Sequence, residues 1–155
     1  MERIELARFV AEVGQRFQFL VDLYGMEGPD GSERLLPAVH YQRPELFVGV
    51  YLDSGRDMPG RRIEVSVSVE AARIYRAPLP GLVEAAGFAP AHLIGWKAHT
   101  VAAMQRSLDD NATWLSRLMP VLVGPEVLDL ARKQPGGRCG GHPTPSGSTP
   151  SSSAS

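Results

Sequence analysis

The chain has 155 residues, 43% of them hydrophobic and 21% charged, with 17 acidic residues against 16 basic ones for a net charge of −1. That length suits one domain with a sizeable core, and the charge balance lacks the basic excess of a nonspecific nucleic-acid binder. A single cysteine excludes an internal disulfide framework, and no run approaches the roughly 20 apolar residues of a membrane span.

The opening MERIELARF has no apolar stretch of signal-peptide type. The expectation is therefore a soluble, cytoplasmic protein without nucleic-acid or membrane partners. Residues 3–24 predict a helix, because Leu6, Val10, Val13, Phe17, Leu20 and Tyr24 recur at spacings of three and four and share one stripe. Gly25 is placed to be the residue just past its end. Residues 26–34, MEGPDGSER, are dense in turn formers and read as a loop. A short strand is expected over 35–42. Pro37 cannot donate to a ladder, so this strand lies at an edge or begins after it. Arg43, Pro44 and Glu45 make a tight turn.

The clearest pattern follows, a β-hairpin with arms at 46–52 and 62–70. In the second arm Ile63, Val65, Val67 and Val69 alternate with Glu64, Ser66, Ser68 and Glu70. Strand side chains switch faces at every residue, so one face is apolar and the other polar. A slip of one residue would expose four β-branched side chains, so the register is firmly set. The first arm is apolar on both faces and reads as the central strand. Gly49 sits in its middle, where a missing side chain permits close approach.

Residues 71–76, AARIYR, suit either an extension of the last strand past a bend or the start of a helix. A short helix is expected at 82–86, stopped by Gly87. A long helix is expected at about 96–119, with Val101, Met104, Leu108, Ala112, Leu115, Met119 and Leu122 as its buried stripe. Pro120 should kink or end it. A last helix, 125–133, begins at Pro125, a favourable first position. From Gln134 onward no large apolar side chain occurs, and Gly, Pro, Ser and Thr dominate. Such a segment cannot offset its ordering entropy, so residues 134–155 are expected to be a disordered tail. The predicted fold is α+β in a single domain over 1–133. It has an N-terminal helix, a three-stranded antiparallel β-meander, then a short helix, the long helix and a short C-terminal helix packed on one sheet face.

Catalytic signals are absent. There is no G-x-S-x-G, no Gly-rich phosphate loop and no H-E-x-x-H. Cys139 and His142 form a C-x-x-H pair in the tail, but zinc needs more ligands than that and no second pair matches. His92 and His99 lie two helical turns apart. Asp109 and Asp110 diverge on a helix and read as a solvated face, where Arg106 and Asp110 can pair. Trp96 and Trp114 read as core margin. Neither a metal, a cofactor nor a catalytic residue is expected.

Binding candidates sit on the hairpin. Arg56, Arg61 and Arg62 cluster in its loop, and loops on rigid scaffolds often carry binding residues. Tyr41 and Tyr51 are expected on corresponding faces of neighbouring strands. With Glu64, Ser66 and Ser68 they would line an exposed sheet face able to meet another protein. The reading is a non-enzymatic protein that binds a protein partner through that face and loop. The alternative is a small-molecule binder or enzyme with a pocket between the sheet and the long helix, using His40, Tyr51 or His99.

A run of features carries a resemblance: the first helix, the Tyr24-Gly25 loop, Tyr41-Gln42-Arg43-Pro44-Glu45, Phe47-Val48-x-Val50 and Ile63-Glu64-Val65-Ser66-Val67. Over about residues 4–130 the chain resembles small actinobacterial α+β proteins, some of whose like act as immunity proteins to secreted toxins. The resemblance implies a non-enzymatic protein that binds another protein. It carries no catalytic motif and assigns no residue a role.

Overall fold

The structure, a computed structural model, describes residues 4–32, 36–53, 61–133 and 138–140. It is α+β, as the sequence predicts, but the sheet is larger than a three-stranded meander. Five antiparallel strands follow one another in chain order: β1 (Glu27–Ser32), β2 (Ala38–Arg43), β3 (Leu46–Asp53), β4 (Arg62–Glu70) and β5 (Ile74–Pro78). A three-residue strand, β6 (Arg138–Gly140), pairs on the outside of β5, inside the segment expected to be disordered. The helices are α1 (Leu6–Arg16), α2 (Phe19–Asp22), α3 (Leu79–Ala85), α4 (Val101–Leu122) and α5 (Val127–Lys133), with a 3-10 turn at Ala91–Leu93.

The two added strands have separate causes. β1 is the segment read as a loop, and its residues are almost all exposed. An edge strand that buries almost nothing needs no alternating pattern, and Pro29 is tolerated there because one side of the strand pairs with no other described strand. Its register with β2 shifts between Glu27 and Asp30. β5 resolves the undecided segment: a bend closed by Ala71 N–H donating to the Arg73 carbonyl (2.8 Å) returns the chain along β4.

The expected helix over 3–24 is broken. α1 ends at Arg16, Phe17 leaves helical geometry, and α2 resumes for one turn. Phe9, Val13, Phe17 and Leu20 are fully buried. Gly25 does turn the chain, at φ 65°. α4 begins later than predicted, at a Thr100 cap whose hydroxyl accepts from Ala103 N–H (3.0 Å), and Pro120 lies inside it. The proline cannot donate to the Ser116 carbonyl, and the helix runs only two residues past it.

The hairpin stands as predicted. Ile63, Val65, Val67 and Val69 are buried, and so are Leu46, Val48, Val50 and Leu52 opposite them. They join one core with Phe9 and Val13 of α1, Leu79, Leu82 and Val83 of α3, Met104, Leu108 and Leu115 of α4, and Leu130 of α5. Each fully buried side chain of this size contributes about 1.5–3 kcal/mol. The side chains of the opposite sheet face, His40, Phe47, Tyr51 and Arg76 among them, take no part in that core. The described helices therefore pack on one face of the sheet and leave the other uncovered.

Candidate functional site

The uncovered face is built by register. β2 and β3 are joined by the two residues Pro44 and Glu45, which pairs Arg43 with Leu46, Tyr41 with Val48, His40 with Gly49 and Ala38 with Tyr51. Directly opposed residues share a face. Tyr41 therefore faces the core with Val48, while Tyr51 lies on the outer face with His40 and Phe47. The expectation that Tyr41 and Tyr51 line one surface is corrected. Tyr41 is fully buried, its ring 6.5 Å from that of Phe17. Its hydroxyl has no hydrogen-bond partner among the described residues, and burial pushes its pKa up to about 12.

On the outer face the His40 ring sits between two aromatic rings, 5.2 Å from Phe47 and 5.7 Å from Tyr51 in an edge-on arrangement. The Tyr51 ring lies back over Gly49: a Cβ there would stand 2.5 Å from Tyr51 Oη. This is the close approach that the missing side chain permits. Arg76 of β5 reaches across, its guanidinium 6.0 Å from the Tyr51 ring and its Nε donating to Ser66 Oγ (3.0 Å). Ser66 is buried beneath these groups, Ser68 is half-buried and Glu64 is exposed. The result is an aromatic centre with a polar and charged margin, all held by backbone pairing.

Toward the β2–β3 turn the face falls into an open depression of about 600 Å³, lined by Glu27, Gln42, Glu45, Phe47, Ser68, Glu70 and Ile74 among others. A second hollow, about 410 Å³, adjoins it on the other side of the same turn, against Leu122, Val123, Val127 and Leu128. Glu45 stands between them at φ 70°, its carbonyl accepting from Glu70 N–H (2.9 Å).

At the opposite end Arg62 stacks its guanidinium 5.6 Å from the Trp96 ring, and the Lys97 ammonium lies 5.8 Å from the same ring. Residues 96–98 pair along the start of β4, with Ile63 N–H donating to the Trp96 carbonyl (2.7 Å) and Ala98 N–H to the Arg61 carbonyl (2.9 Å). Arg61 is half-buried, and neither its Nη1 nor Arg62 Nε has a hydrogen-bond partner among the described residues. Trp96 is exposed, not core margin. Arg56 lies outside the described residues.

α4 holds this end in place. Asn111 donates to the Gly95 carbonyl (2.8 Å), Ser107 Oγ to the Lys97 carbonyl (2.6 Å), and Asp110 accepts from Gly95 N–H (2.6 Å). Asp110 is thus a backbone anchor and not a solvated carboxylate. Asp109 pairs with Arg16 of α1 (2.6 Å).

The residues of the alternative reading are not gathered under α4. His40 and Tyr51 stand on the outer face, His99 is exposed, and the space between β4 and α4 is filled by buried side chains such as Val65, Val67, Met104 and Leu108. Among the described residues no group of three or more His, Cys, Asp or Glu side chains is placed to hold a metal ion, and no helix is long and apolar enough to cross a membrane. His40, Phe47 and Arg76 join Tyr51, Ser66 and Ser68 without having been singled out for this face. The signal was present, since a two-residue turn fixes the pairing and the pairing fixes the face. No family model, curated protein or solved structure matches the chain.

Proposed function

We propose that this protein acts without catalysis, by binding another protein through the outer face of its sheet. The observation that carries the reading is the His40–Phe47–Tyr51 cluster at the centre of a face that no described helix covers. Protein interfaces combine an aromatic centre with a polar rim, and the sheet supplies both on a backbone that needs no reordering on binding. Arg76, Ser68 and Glu64 form one margin of the patch. Arg62 and Trp96 extend it toward the hairpin loop, and Glu27, Glu45 and Glu70 bound the other end. The resemblance to immunity-like actinobacterial proteins points the same way, toward a role in occupying and blocking a partner.

The test compares the wild type with Phe47→Glu as bait in the native lysate, after thermal melts have established that both are folded. The reading expects a partner recovered by the wild type and lost with Phe47→Glu. Recovery of nothing above background, or of the same proteins by both baits, overturns it.

A further inference from the structure

The two long edges of the sheet differ. β1 closes one side with Pro29, Gly28, Gly31 and a register shift, features that discourage another strand from pairing. β5 closes the other with the residues Ile-Tyr-Arg-Ala before Pro78, and its outer edge receives β6 in antiparallel register: Ile74 with Gly140, Tyr75 with Cys139, Arg76 with Arg138. This edge accepts a strand. The strand it holds is ill suited to it. β6 covers three of the five residues of β5 and is flanked by a Gly- and Pro-rich sequence of low β-propensity. What β6 has is proximity, since only four residues separate it from the end of α5.

We propose that the β5 edge is a docking site for an extended segment of a protein partner, with an acidic residue at the rung of Arg76, and that Arg138–Gly140 is a displaceable cap over it. Binding of this kind adds a strand to the sheet: main-chain hydrogen bonds give affinity and alternate side chains give specificity. An incoming strand running past Arg138–Gly140 in the same direction places its acidic side chain beside Arg76, and apolar side chains opposite Tyr75 and Ile74. It can also pair along Ala77, which the cap leaves open. This edge pairs through the backbone of β5 and shares only Arg76 with the margin of the aromatic face, so either proposal stands if the other fails.

The experiment uses the full chain and a fluorescent, end-blocked peptide, Thr-Val-Glu-Val-Ile-Thr, alongside its Glu→Lys counterpart. The double variant Arg138→Pro/Gly140→Pro cannot keep the cap, because proline lacks the N–H that pairing needs. It should bind the Glu peptide about two- to tenfold more tightly than the wild type, the factor by which cap occupancy lowers the open fraction. The amides of β5 in the variant should also exchange faster with solvent in the absence of peptide. The Lys peptide should bind about two- to fivefold more weakly than the Glu peptide, and Arg76→Glu should reverse that order. Failure of the uncapped variant to bind the Glu peptide overturns the proposal. So does equal binding of the two peptides, or exchange in β5 that the prolines do not alter.

Discussion

Tyr41→Phe tests the placement of Tyr41 on the core face. The Tyr41 side chain is fully buried, and its hydroxyl has no hydrogen-bond partner among the described residues. A buried polar group without a partner carries a desolvation penalty of about 1–3 kcal/mol. Removing the oxygen while keeping the ring beside Phe17 should therefore stabilise the fold by about 1 kcal/mol, a rise in Tm of roughly 2–4 °C for a domain of this size. The pH dependence supplies a second arm. Burial holds the phenol at about 12 in the folded chain, against about 10 when unfolded. A raised folded value means that the contribution is fully present below pH 10 and is lost as pH climbs toward 12. Two pH units correspond to roughly 3 kcal/mol. Urea melts of both proteins at pH 7, 10 and 11.5 should show Tyr41→Phe more stable at pH 7 and the gap widening above pH 10. A destabilised Tyr41→Phe at pH 7 would mean that the hydroxyl has a partner. A gap that stays constant with pH would mean that the phenol reaches water, and the register of β2 on β3 would then be wrong.

Asn111→Ala leaves the Gly95 carbonyl without its donor at a buried site, which should destabilise the fold by about 1–3 kcal/mol and shift the fluorescence of nearby Trp96; an unaltered emission spectrum would refute the anchoring role of α4. Glu12 is buried, which opposes its charged form, yet hydrogen bonds from Gln105, Arg16 and Arg8 outweigh that and hold its pKa below the ordinary 4.5. Its depressed value makes the contribution present above pH 4.5 and lost as pH falls through the folded pKa, so Glu12→Gln should be less stable by about 1–2 kcal/mol at pH 7. Acid melts should show the two proteins converging below pH 4.5, and parallel curves would contradict the network. Gly49→Ala puts a methyl where the Tyr51 ring lies, so the ring must lift from the sheet. The His40 ring resonances should then move while stability changes by less than about 1 kcal/mol, and an unmoved NMR spectrum for His40 would show that the rings are not in contact.

The parts of this fold that were legible in the sequence are those where burial writes a periodic pattern. The valines of β4 alternate because one face is dry, and the stripe of α4 recurs because one side meets the sheet. β1 buries almost nothing, so its Gly-Pro-Asp-Gly composition carried only turn signals, although backbone pairing joins it to β2. The break after Arg16 was hidden for the opposite reason: Phe9, Val13, Phe17 and Leu20 keep a helical spacing across it, so the pattern runs on where the helix does not. The candidate face was legible in β4, where Glu64, Ser66 and Ser68 alternate, and misassigned in β2. Tyr41 and His40 are adjacent, one polar-tipped and one titratable, and nothing in their chemistry says which faces water. The turn decides it. With only Pro44 and Glu45 between the strands, Tyr41 falls opposite Val48 and His40 opposite Gly49. The short turn and the missing side chain at Gly49 together create the patch, because the first brings His40 to the outer face and the second lets Tyr51 fold down beside it. A one-residue insertion at the turn would exchange the two faces of β2, bury His40 and expose Tyr41. The aromatic centre of the face thus depends on the length of a loop that contributes none of its three rings.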